Sequence, residues 1–320
     1  MYRIGIDLGG TNLAAAIVDE DYTIVKKMSI PTSTKNGGDG IVRDMAKVCL
    51  ELCGMAGIDI SCVAAVGIAS PGVANSLDGI IEYACNLPLT KYPICARLSE
   101  MLGGADVHVE NDANAAAWGE AVAGAARGTR NSVTVTLGTG VGGGVIIDGR
   151  IYSGFNYAGS ELGHNVIAVG GRKCGCGRRG CFEAYSSATA LINMTREKLE
   201  ECERIGKQTL MSSLLGEKID GRLAFDAYDR GDEAAAEVIN EYSLYLAAGI
   251  TNIINLYRPE VVCIGGGISG QGQRLLDLIM PTVRAEIYGG DTVGAPTRVC
   301  ICELGNDAGI IGAAFLAKEI

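Results

Sequence analysis

Apolar positions along this chain follow two spacings, and the switches between them mark out its elements. Ile4 and Ile6 lead a strand into Gly9-Gly10-Thr11-Asn12, and the run Ala14-Ala15-Ala16-Ile17-Val18 leaves that turn as a second strand. A third strand fits residues 22–30. Between residues 40 and 56 the spacing becomes helical, with Ile41, Met45, Val48 and Leu52 on one face and Gly57 as the stop. Val63-Ala64-Ala65-Val66-Gly67-Ile68 predicts a buried strand ended by Ser70-Pro71-Gly72, and Val107-His108-Val109 predicts a short one. Residues 113–126 predict an alanine-rich helix.

A new strand-turn-strand then begins at residue 133. Leu8, Gly9, Ile17 and Asp19 match Leu137, Gly138, Ile146 and Asp148 at an offset of 129 residues. Both copies pair a strand with a Gly/Thr turn and a returning strand, which predicts a duplicated α/β architecture with a cleft between the copies. Helices follow at 188–204 and 232–256, the second with Ala235, Val238, Ile239, Tyr242, Leu246, Ile250 and Ile253 as its apolar stripe. The strand Val261-Val262-Cys263-Ile264 runs into Gly265-Gly266-Gly267, residues 299–302 form a late strand, and residues 307–317 a last helix.

Composition narrows the function classes. The 320 residues are 48% hydrophobic and 20% charged, ordinary for a soluble globular chain and enough for about two domains. A net charge of −10 argues against a nucleic-acid or anionic-membrane partner, because both demand a basic face. No apolar run reaches the roughly 18 residues of a membrane span, and the N-terminus lacks the pattern of a signal peptide. The expected location is therefore the cytoplasm, where disulfides are not expected; nine of the 12 cysteines are scattered, and several of these sit in apolar runs as small hydrophobes.

Glycine, at 46 residues, supplies the candidate chemistry. Asp7-Leu8-Gly9-Gly10-Thr11-Asn12 puts a carboxylate at a strand end beside small residues whose N–H groups can approach an anion. Asp7 can bind Mg²⁺ directly or through water. Gly138-Thr139-Gly140 repeats the device, so two such turns can hold the phosphates of one nucleotide. Gly265-Gly266-Gly267 suits the flat face of an adenosine. In Glu110-Asn111-Asp112-Ala113-Asn114, either Asn111 or Asp112 caps the helix, and a carboxylate at that junction can accept a proton from a hydroxyl. His108, in a strand, reads as structural. His164 lies ten residues before Cys174, and Cys174, Cys176 and Cys181 lie within eight residues with glycines between them. Together they complete a Cys₃His set, the donor set of a tetrahedral structural zinc site. Glu161 and Glu183 flank it and can present two carboxylates and an imidazole to a polyhydroxylated ligand.

Taken together these motifs resemble the ROK family of bacterial sugar kinases over essentially the whole chain, most closely its ATP-dependent glucokinases. The resemblance rests on the first phosphate motif at Asp7 to Asn12, Ala69-Ser70-Pro71-Gly72, Glu110 to Asn114, Leu137 to Gly144, Glu161 to His164, and the signature Cys174-x-Cys176-Gly-x-x-Gly-Cys181-x-Glu183. It implies a duplicated actin-like ATPase (ribonuclease H-like) fold, with a sugar between two lobes and a small zinc knuckle. The N-terminal lobe would span 1–112, rejoined by a C-terminal helix at 305–320, and the second lobe 113–304. By the same resemblance Asp112 is the general base, and Gly72, Asn111, Asp112, Glu161, His164 and Glu183 bind the sugar. ATP and its Mg²⁺ would lie against Asp7, Gly9, Gly10, Thr11, Asn12, Gly138, Thr139, Gly140, Gly265, Gly266 and Gly267. Zinc would be held by His164, Cys174, Cys176 and Cys181.

Family repressors carry a leading DNA-binding domain. This sequence opens at the phosphate motif, so a kinase is expected. The expected reaction is transfer of the ATP γ-phosphoryl group to the 6-hydroxyl of glucose, in a homodimer or homotetramer. The alternatives are another hexose substrate (N-acetylmannosamine, fructose, allose or N-acetylglucosamine), polyphosphate as donor, or a non-catalytic sugar-sensing protein. The intact Asp112 and both phosphate turns argue against the last.

Overall fold

The computed structural model describes residues 1–317 apart from Glu217. Strands β1 (Tyr2–Leu8), β2 (Asn12–Val18) and β3 (Ile24–Pro31) form successive antiparallel pairs. Helix α1 (Gly37–Ala56) ends on Gly57, whose φ of 68° is the left-handed conformation a helix stop favours. Strand β4 (Val63–Ser70) returns parallel to β1. The short strands β5 (Val73–Asn75), β6 (Ile80–Tyr83) and β7 (Thr90–Tyr92) make a separate antiparallel sheet before helix α2 (Ile94–Met101). Strand β8 (Val107–Asn111) joins β4 in parallel and passes directly into helix α3 (Asp112–Ala123). The first large sheet therefore has the order β3-β2-β1-β4-β8.

The second half begins with β9 (Ser132–Leu137), β10 (Val141–Ile147) and the two-residue β11 (Arg150–Ile151). Helices α4 (Glu183–Ser186), α5 (Ala188–Ile205), α6 (Leu210–Leu214), α7 (Leu223–Asp229) and α8 (Glu233–Tyr257) follow. Strand β12 (Val261–Gly265), helix α9 (Gln273–Glu286), strand β13 (Arg298–Ile301) and helix α10 (Ala308–Ala314) complete the chain. The second large sheet reads β11-β10-β9-β12-β13, the same sequence of moves as the first. The offset of 129 residues carries β2 onto β10 end to end, so the internal repeat seen in four residues is a repeat of topology.

Two compact units result. One comprises Met1–Thr134, Gly143–Ser160 and Cys302–Ile320; the other Val135–Gly142 and Glu161–Ile301. The division expected after residue 112 is displaced, because α3 packs with the first unit. The reason is a seam of glycines. On β1, Ile4, Ile6 and Leu8 join Ile41, Met45, Val48 and Leu52 of α1 in one core. The alternate residue Gly5 turns to α10, where a Cβ would stand 1.8 Å from the Ile310 carbonyl oxygen. A Cβ on Gly67 of β4 would lie 1.7 Å from Ala313 O, on Gly119 of α3 2.2 Å from Ala308 O, and on Gly312 of α10 1.7 Å from Ala115 O. Backbone thus packs on backbone along α3, α10 and the sheet.

Fully buried Glu120 fastens this arrangement, accepting hydrogen bonds from the N–H groups of Ala125 (2.8 Å), Glu303 (3.1 Å) and Leu304 (2.9 Å). Three donors offset the cost of burying that carboxylate. The last helix expected at 305–320 is shorter, and residues 318–320 lie outside the described residues. Among the described residues no helix is long and apolar enough to cross a membrane.

Gly312→Ala forces α3 and α10 apart against backbone rather than against a flexible side chain. It should cost about 1–3 kcal/mol, the usual range for overpacking, read as a lower urea midpoint at unchanged slope. A native midpoint would show that the seam can open without cost.

Candidate active site

Three parallel strands of the first sheet deliver their chemistry at one edge. The register pairs Asp7 of β1 with Ala69 of β4, Ala69 with Glu110 of β8, and Ser70 with Asn111. Asp7, the Ser70-Pro71-Gly72 corner and Asn111-Asp112 therefore emerge side by side at the carboxyl ends of adjacent strands, where open α/β sheets bind their ligands. Gly72 must be glycine: its φ is 93°, and a Cβ would meet Tyr83 O at 2.1 Å. Its carbonyl accepts a hydrogen bond from Asn111 Nδ2 at 3.0 Å, tying the corner to the start of α3.

The structure decides which residue caps α3. Asn111 Oδ1 accepts from the N–H groups of Ala113 (2.9 Å) and Asn114 (3.2 Å), so Asn111 is the cap and Asp112 the first helical residue. Asp112 keeps a face open to solvent, yet desolvation by the surrounding protein raises its carboxyl pKa above the ordinary aspartate range, against the lowering effect of the Ala113 N–H. Burial also raises Asp7, and the charge of Asp112 adds to the shift while Lys27 opposes it. Two carboxylates that sense each other at strand ends form a group able to hold a cation or accept a proton.

Glu110 is a residue of this junction to which the sequence reading gave no task. Only 3% exposed, it accepts the Asn111 N–H at 2.8 Å and Asn114 Nδ2 at 3.0 Å, bracing the turn that presents Asp112. Its signal was a carboxylate following the apolar Val109 near the end of a short strand, with amides at Asn111 and Asn114 just beyond it. The neighbouring turn is closed by its own backbone. Gly9 N–H donates to Asn12 O (2.8 Å), and Thr32 donates from N–H to Thr11 O (2.8 Å) and from Oγ1 to Gly9 O (2.7 Å). Gly9 thus shapes the turn, while Gly10, Thr11 and Asn12 are its exposed part.

The second unit gathers the remaining residues. In the turn between β9 and β10, Gly138 N–H donates to Gly140 O at 3.0 Å. Gly266, with φ 81°, passes so close to the end of β9 that a Cβ would lie 2.5 Å from Leu137 O, which brings Gly265-Gly266-Gly267 against that turn. The short helical turn Leu162–His164 follows exposed Glu161 and packs at Gly163, where a Cβ would lie 2.1 Å from Val141 O. Glu183 reaches the same place: its Oε2 accepts the Val141 N–H at 3.0 Å. Distance along the chain suggests that Glu183 is remote from this turn; the fold makes it a neighbour.

His164, Cys174, Cys176 and Cys181 converge with all their donor atoms within 4.8 Å of one another. Cys174 Sγ lies 3.7 Å from His164 Nδ1, and Cys176 Sγ 3.7 Å from Cys181 Sγ. Zn–S bonds of about 2.3 Å at tetrahedral angles give a ligand–ligand edge of about 3.8 Å, so the set fits that ion. The knuckle is a backbone hairpin in which Cys174 N–H donates to Arg178 O (2.9 Å) and Gly180 N–H to Arg172 O (2.8 Å). With Nδ1 facing the thiols, His164 Nε2 is left for another partner.

The chain matches the ROK family over residues 3–320. The glucokinase of Thermotoga maritima is 37% identical over 327 residues, covering 99% of this chain and 97% of that protein. The crystal structure of a ROK family glucokinase from Streptomyces griseus in complex with glucose and AMPPNP aligns with a TM-score of 0.78 at 32% identity, covering 99% of both chains. The N-acetylmannosamine kinase of Citrobacter koseri is 30% identical over 325 residues, covering 99% of both.

Burial raises the Glu110 pKa above the ordinary glutamate range, opposed by its bonds from Asn114 and Asn111. A raised acid binds its proton more tightly in the native than in the unfolded state, so its share of stability is lost as pH rises through the folded value. Glu110→Gln keeps an acceptor without the charge. Urea titrations from pH 4 to 8 should therefore show a stability difference moving in favour of the variant as pH rises. A difference independent of pH would mean that Glu110 titrates alike in both states.

Proposed function

The chain belongs to the ROK family, and from that premise we propose that it is an ATP-dependent glucokinase, transferring the γ-phosphoryl group to the 6-hydroxyl of glucose. The observation that carries the mechanism is the electrostatic coupling of Asp7, near the end of β1, with Asp112, just past the end of β8 two strands away, beside a glycine turn. Asp112 accepts the proton of the attacking hydroxyl as the oxygen–phosphorus bond forms. Asn111, fixed as cap and by Gly72, presents its amide to the sugar. Glu161, His164 Nε2 and Glu183 read the remaining hydroxyls, as carboxylate acceptors and one directional imidazole contact. Asp7 would hold Mg²⁺ directly or through water, where the ion bound with ATP would supply charge neutralisation at the phosphoryl oxygens. Zinc on Cys174, Cys176, Cys181 and His164 has a structural role, fixing the imidazole ring. Cytoplasmic location and assembly as a dimer or tetramer belong to the same reading.

ADP release measured over a sugar panel, with ATP and polyphosphate as donors, tests it. Glucose with ATP should give the highest kcat/KM. Preference for N-acetylmannosamine, which the Citrobacter koseri relative keeps in view, would change the substrate and leave the chemistry; no turnover with any sugar would make the chain a sensor.

Asp112→Asn leaves the cap on Asn111 untouched and removes the base. The expected loss is on the order of 10²–10⁴ in kcat, the usual span for a general base, with glucose binding retained. In the native protein, activity should fall on acidification at a pH above the ordinary aspartate range, because protonated Asp112 cannot accept the proton. Near-native turnover in Asp112→Asn would leave the residue no catalytic part.

Metal analysis should find about one zinc per chain, as a single tetrahedral site requires. Cys176→Ser should lose most of it and bind glucose more weakly, since His164 is then free to turn. A zinc-free native protein with full activity would refute the structural role.

A further inference from the structure

The segment that follows the cysteine cluster brackets the turn between β9 and β10 at three points. Glu183 Oε2 accepts the Val141 N–H at 3.0 Å, the Ala188 N–H donates to Gly138 O at 2.8 Å, and Thr189 Oγ1 donates to Thr139 O at 2.7 Å. Gly140 leaves room for the first contact, because a Cβ there would stand 2.3 Å from Glu183 Oε2. The other oxygen of the same carboxylate lies 3.3 Å from Cys174 Sγ. One side chain thus touches both a metal-set cysteine and the glycine turn. A second link runs in parallel, since Gly163 abuts the Val141 carbonyl immediately before His164.

We propose that Glu183 is a positioning residue for the nucleotide: it ties the Gly138–Thr139–Gly140 turn to the cysteine–histidine knuckle, so that filling the metal site tightens ATP binding as well as ordering the sugar contacts. The proposal rests on the reading of this turn as a phosphate site. The physical ground is preorganisation. A glycine turn has many conformations open to it, and a bound phosphate must select one, at a cost in backbone entropy. A turn already held by an acceptor on Val141 and by bonds to both neighbouring carbonyls meets that cost before the ligand arrives. With the knuckle closed around an ion, Cys181 would anchor the chain two residues before Glu183, and His164 would anchor it next to Gly163, which abuts Val141. With it open, Glu183 is free to leave the Val141 N–H.

The test is calorimetric titration of the full-length protein with Mg-AMPPNP, without sugar, alongside metal analysis of every sample. Glu183→Ala should weaken AMPPNP on the order of tenfold, the scale of one hydrogen bond to a charged acceptor. Glu183→Gln, whose amide oxygen can accept the same N–H, should restore most of the affinity. Thr189→Val should give a smaller loss at unchanged zinc content. Chelating the zinc from native protein should weaken AMPPNP about as much as Glu183→Ala, and chelation should add little in that variant, because contacts acting through one element are not additive. Native affinity in zinc-bearing Glu183→Ala, or chelation that weakens glucose binding but not AMPPNP, would overturn the link. Native AMPPNP affinity in both Gly138→Val and Thr139→Val would overturn the reading of the turn instead. If Glu183→Ala does not fold, Glu183→Gln, Thr189→Val and the chelated native protein decide the matter.

Discussion

Close approach of backbone to backbone is the constraint on which the first unit depends. Helix α10 lies against β1, β4 and α3 at distances that leave no space for a side-chain carbon at Gly5, Gly67, Gly119 or Gly312. This packing brings the end of the chain into the unit that holds its beginning, and Glu120 secures the returning segment by three backbone N–H groups. The opposite face of the sheet is an ordinary aliphatic core against α1. The two faces of β1 thus do different work: Ile4, Ile6 and Leu8 supply burial, while Gly5 supplies close approach to α10.

That division explains where the carboxylates stand. Parallel strands ending at one edge align Asp7, Gly72 and Asp112 without help from long loops, so their positions inherit the rigidity of the sheet. Helix α3 starts on the residue that follows β8, which leaves Asp112 no slack in sequence. Asn111 serves as cap, as tether to Gly72 and as backbone donor to Glu110, so one short stretch fixes where Asp112 begins α3.

The second unit uses a different device for the same end. Its glycine turn is held by groups from the segment after the knuckle and by close contacts at Gly163 and Gly266. The cysteine hairpin has few apolar side chains to bury, and its four donor atoms within 4.8 Å of one another are a set that could hold an ion in place of an apolar core. The Cys/His cluster and the glycine turn are neighbours here because Glu183, at the start of α4, reaches the N–H of Val141 in β10.

Much was legible in the sequence for a physical reason: periodicity, caps and turn chemistry are local. The strands through Ile4 and Ile6, the α1 stripe, the stop at Gly57, the duplicated hairpin and the Cys₃His spacing follow from residues near one another in the chain. So does the family, whose motifs are short and ordered. Other features were decided only by the tertiary structure. The three-residue strands β5 and β7 carry too little pattern to be read, and they exist because neighbouring strands pair with them. Whether Asn111 or Asp112 caps α3 depended on which side chain could also reach Gly72. The membership of α3 in the first unit was set by glycines nearly 200 residues apart, Gly119 and Gly312. The contact of Glu183 with Val141 spans 42 residues and leaves no mark in either segment, because a hydrogen bond between distant parts of a chain is a property of the folded backbone and not of local sequence.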